Sequence, residues 1–328
     1  MFAAGKPANS RILIVRLGAL GDIVHTLPAV ASLKQSFPKA HLTWLVEQRW
    51  APILEDNPSI NEIVGIEGRS AGALIGIWRF LSARHWDAAI DFQGLVKSAA
   101  LASAARPDRI FGFHQSVVRE RGAALFYSDK VASDAIHKVD FNLDLAAGAG
   151  ATRRVRTFAI PQGQEEGELP AGDFVLANPL AGWGSKQWPL EHFRALAELL
   201  EREFRLPLVL NLPPGSAPAP SPCLTHFSGL PGLIHATRRA AAVVGVDSGP
   251  LHIAAALGKA GVAIYGPTDP AINGPYGGSF TVLRSPQAVT THKRRAAIDR
   301  SMHEISPAQV GEALRTVCSC LGSATPIR

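Results

Sequence analysis

The stretch RILIVRLGALGD, residues 11–22, runs from an aliphatic segment through two glycines to a carboxylate. A short aliphatic run bounded by glycine is typical of a buried parallel strand. The segment that follows, DIVHTLPAVASLKQSF, has helical length, and Pro28 is expected to kink that helix. The stretch therefore predicts the first strand and helix of a βαβ unit.

The same alternation recurs in both halves of the chain. In the first half, further strands are predicted at 41–47, 61–66, 86–92 and 109–113, with a helix at 70–84. In the second half, strands are predicted at 173–179, 207–214, 241–247 and 261–267, with helices at 189–204, from Gly249 and near 307–320. The Pro-rich segment 211–232 carries no helix prediction. We expect an α/β protein with two Rossmann-like domains, whose parallel sheets face a central cleft.

The predicted boundaries follow a change in composition. Residues 148–171 are rich in Gly, Pro and charge, which is typical of a connection between domains. We therefore expect domains at 1–150 and 172–328 with a linker at 151–171. The closing helix could stay with the second domain or return to the first.

Composition narrows the class of protein. The 328 residues are 47% hydrophobic and 18% charged, with a net charge of +6, which indicates a globular protein with ample core. This charge gives no support to nucleic-acid binding, but it fits an anionic small substrate or an anionic membrane surface. The three cysteines have neither disulfide nor metal-ligand spacing. Without a signal peptide or an apolar span, the chain is expected to be soluble and cytoplasmic.

Asp22 is the first candidate functional residue. It follows a strand at the edge where ligands bind in open α/β sheets, and Gly18 and Gly21 would let the turn approach a ligand. A carboxylate at a helix start is favoured by the helix dipole and could act as a general base. The alternative is that Asp22 only caps the helix.

Two turns in the second half have the features of a phosphate site. In VDSGPLHIAAALG, Asp247 and Ser248 precede a helix whose free N–H groups could bind a diphosphate, and His252 could add a donor. In NPLAGWGSKQWP, Lys186 could neutralise a phosphate. An ordinary capped helix and a solvated lysine are the alternatives.

The basic residues of the first half indicate an acidic ligand. Lys97 and Ser98 in DFQGLVKSA, and Arg119 in VVRERGAALFY, could contact it, or they could be ordinary surface residues. The corner YGPTDP is interpreted as structural. The chain lacks D-x-D, HExxH and Walker A motifs, which argues against metal-dependent sugar transfer.

Together RLGALGDIVHTLP, DFQGLVKSA, SKQWP, VDSGPLHIAAALG and YGPTDP resemble the bacterial ADP-heptose:lipopolysaccharide heptosyltransferases, most of all the members that add the first heptose to Kdo. The resemblance runs from about residue 11 to 320 in the family's order. It implies the GT-B architecture, with the acceptor in the first domain and the nucleotide sugar in the second. It also implies inverting, metal-independent transfer of L-glycero-D-manno-heptose to a Kdo-lipid A acceptor at the inner face of the cytoplasmic membrane.

The resemblance also assigns roles to residues. Asp22 matches the catalytic aspartate, and Lys186 matches the lysine at the donor phosphates. The remaining implied contacts are, on the donor side, Ala181, Gly182, Ser185, Asp247, Ser248, Gly249 and His252, and on the acceptor side, Gly18, Gly21, Lys97, Ser98 and Arg119. No cofactor or metal is implied.

Three alternatives stay open from the sequence. A transferase of the same family could act on an already heptosylated acceptor. A nucleotide-sugar epimerase could use the same two-domain scaffold. A nucleotide-binding protein without activity is the third, since segment 213–229 lacks the helix and glutamate that family members often carry there.

Overall fold

The computed structural model describes residues 10–68, 71–291 and 293–318. The chain forms two compact units, of which the first ends at Pro161 and the second begins at Gln162. Each unit is built on its own parallel six-stranded sheet. Among the described residues, no helix is both long and apolar enough to cross a membrane.

The first sheet has the strand order β3-β2-β1-β4-β5-β6. Its strands are β1 (Arg11–Val15), β2 (His41–Glu47), β3 (Glu62–Ile66), β4 (Ala88–Asp91), β5 (Ile110–Phe113) and β6 (Asp129–Val131). Its helices are α1 (Leu20–Val24), α2 (Leu27–Ser36), α3 (Ala71–Ser82), α4 (Val96–Ala104) and α5 (Lys138–Gly148), with 3-10 helices at Gln48–Leu54 and Arg121–Leu125.

Helices cover both faces of this sheet. Crossovers between parallel strands are normally right-handed. The connections from β1 to β2 and β3 therefore lie on one face of the sheet, and those from β3 to β4, β5 and β6 lie on the other. Accordingly α2 packs against α5, whereas α3 packs against α4 and α4 packs against the 3-10 helix Arg121–Leu125.

The second sheet has the strand order β12-β11-β10-β7-β8-β9. Its strands are β7 (Val175–Asn178), β8 (Leu208–Leu212), β9 (Leu224–Phe227), β10 (Ala242–Val246), β11 (Gly261–Tyr265) and β12 (Phe280–Arg284). Its helices are α6 (Leu190–Phe204), α7 (Leu230–Arg239), α8 (Gly249–Ala256), α9 (Pro270–Asn273), α10 (Arg300–His303) and α11 (Pro307–Cys318), with a 3-10 helix at Gly184–Lys186. The closing helix α11 packs on α6, β11 and β12 of this unit.

The buried strands confirm the nine strand predictions, and the departures have simple causes. The sequence pattern missed β6, β9 and β12, which lie at or beside sheet edges and are partly exposed, so they lack a continuous apolar run. The first helix is broken rather than kinked. It ends at Val24, and Pro28 occupies the first turn of α2, where a missing N–H costs little.

Candidate functional site

Asp22 lies on α1, at the carboxyl end of β1. The helix begins after Ala19, so Asp22 is its third residue, and no side chain caps the helix. The alternative of an N-cap is therefore wrong. The Asp22 carboxylate instead pairs with the Arg16 guanidinium, at 2.7 Å between Nη2 and Oδ2, and the Asp22 side chain is 30% exposed. The structure thus presents a carboxylate that is held in place yet accessible.

The turn before Asp22 is fastened to the loop after the neighbouring strand β4. Gln93 Oε1 accepts hydrogen bonds from the Leu17 N–H at 3.0 Å and the Gly18 N–H at 3.3 Å. The Arg16 guanidinium also donates to the Phe92 carbonyl. Since β1 and β4 are adjacent and parallel, their carboxyl ends meet at one edge and make this connection possible. Gln93 is a positioning residue that the sequence pattern did not reveal.

The two glycines of the turn have different environments. A Cβ at Gly18 would lie 3.0 Å from Trp50 Nε1, so this position accepts only a small residue. Gly21 is a buried residue inside α1, and its contact with the acceptor stays a prediction. The small size at Gly18 therefore serves the packing of the loop.

Positive charge gathers around Asp22. Lys138, the first residue of α5, has a lowered pKa because burial disfavours its charged form; Asp22 opposes this effect, while Arg16 and Arg119 reinforce it. The four charges are therefore close enough to interact, and Arg119 is exposed. Sequence inspection missed Lys138. The available signal was a cation at a helix N-terminus, which the helix dipole disfavours.

The two other residues predicted to bind the acceptor, Lys97 and Ser98, lie on α4. Lys97 is exposed at the start of that helix. Ser98 is fully buried, and its hydroxyl donates to Asp91 Oδ2 at 2.9 Å and accepts from the Leu95 N–H. Ser98 thus supports the turn before α4, which corrects its prediction as a ligand contact.

Asp91 is the buried centre of this support. Burial raises the pKa of its carboxyl, while hydrogen bonds from the Tyr127 and Ser98 hydroxyls act in the opposite direction. The Gln93 N–H also donates to Asp91, at 2.9 Å. Asp91 therefore holds Gln93, and Gln93 holds the loop before Asp22.

In the second unit, Lys186, Asp247 and His252 form one ionic cluster. Lys186 Nζ lies 2.6 Å from Asp247 Oδ2, and His252 Nε2 lies 3.6 Å from Asp247 Oδ1. Burial raises the pKa of Asp247, but the hydrogen bond from His252 and the charge of Lys186 outweigh it and hold that pKa well below its usual value. Asp247 therefore stays charged and orients Lys186 and His252, both of which could bind an anion.

Within the part of the chain that the structure describes, several buried polar atoms near this cluster have no hydrogen-bond partner. They are Asn178 Nδ2, Ser185 Oγ, Ser248 Oγ and Thr268 Oγ1. Their residues lie at or after the carboxyl ends of β7, β10 and β11, which are neighbours in the sheet. Buried polar groups are normally satisfied by protein, water or ligand, so these atoms are available to a polar ligand at that edge. Asn178 and Thr268 lie in the quoted segments NPLAGWGSKQWP and YGPTDP, but no ligand contact was predicted for them.

The remaining predicted donor contacts surround the same edge. Ser248 is the N-cap residue of α8 but makes no side-chain cap bond, and Gly249 is the first helical residue, so the N–H groups of this turn are not capped by that side chain. Gly182 is exposed, and nothing lies within 4 Å of the position that a Cβ would take there, whereas Ala181 packs partly on the core. Helix-start N–H groups and Lys186 together suit a diphosphate.

A group of possible metal ligands lies in the first unit, away from Asp22. Within the described part of the chain, His85, Asp87 and Asp108 place their ligand atoms within 4.8 Å of one another. The three residues precede β4 and β5, at the amino ends of these strands. Asp22 follows β1 and therefore lies at the opposite, carboxyl edge of the same sheet.

The chain matches known heptosyltransferases over most of its length. The family model for glycosyltransferase family 9 (heptosyltransferase) matches residues 75–211 and 228–301. Lipopolysaccharide heptosyltransferase 1 of Escherichia coli O18:K1:H7 is 32% identical over 301 residues, covering 84% of this chain and 92% of the relative.

Solved structures agree with this result. E. coli heptosyltransferase WaaC with ADP superposes with a TM-score of 0.74 at 26% identity, covering 94% of this chain and 99% of that one. Its complex with ADP-2-deoxy-2-fluoro heptose matches with the same TM-score. E. coli ADP-heptose lps heptosyltransferase II, with a TM-score of 0.77 at 21% identity over 95% of this chain and 100% of that one, shares the fold. The two α/β units therefore confirm the predicted GT-B architecture.

Proposed function

Because the chain belongs to glycosyltransferase family 9 and is a heptosyltransferase I-like enzyme of lipopolysaccharide core biosynthesis, we propose that it transfers L-glycero-D-manno-heptose from ADP-heptose to a Kdo residue of lipid A. The ionic cluster beside unsatisfied polar atoms in the second unit is the observation that carries the donor assignment. ADP and an ADP-heptose analogue are bound by the similar WaaC structures, which supports this choice.

The second unit binds the donor in this proposal. The diphosphate lies at the N-terminus of α8, where backbone N–H groups and Lys186 neutralise it. Asp247 holds Lys186 and His252 in position through its two carboxylate oxygens. Ser185 and Ser248 supply hydroxyl groups that have no hydrogen-bond partner among the described residues. These groups stabilise the charge that develops on ADP as it leaves.

The first unit binds the acceptor and supplies the base. Asp22 takes the proton of the acceptor hydroxyl, whose oxygen forms a bond to C1 of the heptose while the bond from C1 to the phosphate oxygen breaks. Attack opposite to the leaving group inverts the configuration at C1. Arg16 holds Asp22, and Lys97, Arg119 and Lys138 provide positive charge for the Kdo carboxylate.

The test is acceptor-dependent release of ADP from ADP-heptose, with wild type beside Asp22→Asn. We expect transfer to fall by about 100-fold or more in the variant, because no other carboxylate takes the proton. Asp140→Asn is the matched control, since Asp140 is a similarly exposed, ion-paired carboxylate of the same unit. Equal activity of wild type and Asp22→Asn would remove Asp22 from the chemistry.

The choice of acceptor distinguishes the related activities. An acceptor ending in Kdo should be used, whereas preference for one already carrying heptose would indicate the second transferase of the family. Conversion of ADP-heptose to an isomeric ADP-sugar without any acceptor, and without net release of ADP, would favour an epimerase. A protein that binds ADP but never releases ADP from ADP-heptose, with any acceptor, would have lost the activity.

We also propose that transfer needs no metal and occurs at the cytoplasmic face of the inner membrane. Lys186 and the start of α8 offer the positive charge that a metal would otherwise provide. Activity should therefore survive exhaustive chelation with EDTA. Loss of activity on chelation, with recovery on adding back one metal, would contradict this part of the proposal.

A further inference from the structure

One face of the first unit exposes a concentration of apolar side chains. This outer helix face consists of α3, α4, the 3-10 helix Arg121–Leu125 and Phe126. Its exposed large apolar residues are Ile75, Trp78, Val96, Leu125 and Phe126. Among the described residues of the first unit, only one further exposed large hydrophobic is found, Ile136, and it lies outside the helices. Trp78 is 50% exposed and Leu125 is 85% exposed, so this surface is open to a partner.

The elements of the outer helix face form one connected surface. Helix α3 packs on α4, and α4 packs on the 3-10 helix. Val96 Cγ2 lies 3.1 Å from the position that a Cβ at Gly122 would take. On the opposite side of the sheet, the described residues of α2 and α5 include no exposed large hydrophobic. The asymmetry between the two faces indicates a docking surface.

Charge on the outer helix face has a single sign. The charged residues within its three elements are Arg79, Lys97 and Arg121, all of them exposed cations. The neighbouring acid, Glu120, accepts a hydrogen bond from the Val96 N–H at 2.8 Å. Exposed apolar side chains interspersed with cations suit a surface that is apolar inside and negative outside.

We propose that the outer helix face docks on the surface of an anionic lipid bilayer. Trp78 and Leu125 enter the interfacial layer, where tryptophan is favoured, while Arg79 and Arg121 contact lipid phosphates. Helix α4 starts at the same sheet edge as Asp22, so docking brings a lipid-linked hydroxyl toward that carboxylate. This last step rests on the proposed function, whereas the binding of lipid does not.

The test is co-sedimentation with vesicles of phosphatidylcholine containing about 30% phosphatidylglycerol, compared with phosphatidylcholine alone, in the absence of donor. Wild type should bind the anionic vesicles, and the double variant Trp78→Ser/Leu125→Ser should bind about tenfold more weakly. Val289→Ser is the matched control, because Val289 is 77% exposed in the other unit and should not affect binding. Melting temperatures check that each variant keeps its fold, since Trp78 is only 50% exposed.

The outcomes separate this proposal from the proposed function. Equal binding of wild type and the double variant, or no vesicle binding at all, would overturn it. Self-association of wild type that the double variant abolishes would assign the face to a second copy of the chain instead. Vesicle binding that depends on Trp78 and Leu125 supports docking even if no heptose transfer is detected. With a short water-soluble acceptor, the double variant should keep wild-type activity.

Discussion

At the scale of single residues, Lys186 serves both stability and donor binding. Its ion pair with Asp247 is buried, and removing one partner leaves a buried charge without compensation. Lys186→Met should lower the free energy of unfolding by about 3 kcal/mol and weaken ADP binding by about tenfold or more. Urea denaturation and calorimetric titration with ADP measure the two effects. Unchanged ADP affinity would place the diphosphate elsewhere.

Asp247 makes the stability of the second unit depend on pH. Its pKa is lower in the folded protein than in the unfolded chain, so its contribution is fully present above the unfolded value of about 3.9 and is lost as pH falls below it. Asp247→Asn should therefore be less stable than wild type at pH 7, and the difference should shrink toward pH 3. Urea unfolding at several pH values tests this, and a difference independent of pH would contradict it.

At the scale of elements, the 3-10 helix Gly184–Lys186 depends on a close backbone approach. A Cβ at Gly184 would lie 1.8 Å from the Ala296 carbonyl oxygen, so one backbone segment would have to move. Gly184→Ala should cost about 2 kcal/mol of stability and displace Lys186. Gly182→Ala is the control, with nothing within 4 Å of its Cβ. Similar melting temperatures for the two variants would contradict the packing argument.

The contact between the turns after β1 and β4 predicts a specific kinetic effect. Gln93→Met removes the acceptor for the Leu17 and Gly18 N–H groups and should lower kcat about tenfold. The KM for ADP-heptose should stay unchanged, because the donor binds to the second unit. Gln93→Glu retains an acceptor oxygen and should recover part of the activity. Loss of stability in both variants without this kinetic difference would indicate a structural role only.

At the scale of the whole molecule, the proposal that the second unit binds the donor and the first unit binds the acceptor is testable. ADP should slow amide hydrogen exchange in segments 178–186 and 247–252 of the second unit, where the proposed diphosphate contacts lie. Segment 16–22 of the first unit should respond only when a Kdo acceptor is also present. Exchange by mass spectrometry on the intact protein measures this. Protection by ADP of segment 16–22 alone would reverse the assignment.

Much of the architecture follows from local patterns in the sequence. Buried parallel strands need continuous aliphatic runs, so β1, β2, β7 and β10 were recognisable without any partner. Turn residues, helix starts and side-chain chemistry are local as well, and they indicated Asp22, Lys186 and Asp247. Three of the four edge strands, β6, β9 and β12, were missed, since their partly exposed sequences have no continuous apolar run.

What local pattern could not supply is proximity between distant segments. Gln93 contacts Leu17, and Lys138 lies near Asp22, only because β1 sits beside β4 and α5 returns to the same edge. The same order of elements buries Ser98 against Asp91 and leaves Trp78 and Leu125 on one face. Strand order arises from hydrogen bonds and packing between remote residues, and no window of sequence contains that information. The chemistry of single residues could therefore be predicted from the sequence, whereas their grouping into sites was decided by the tertiary structure.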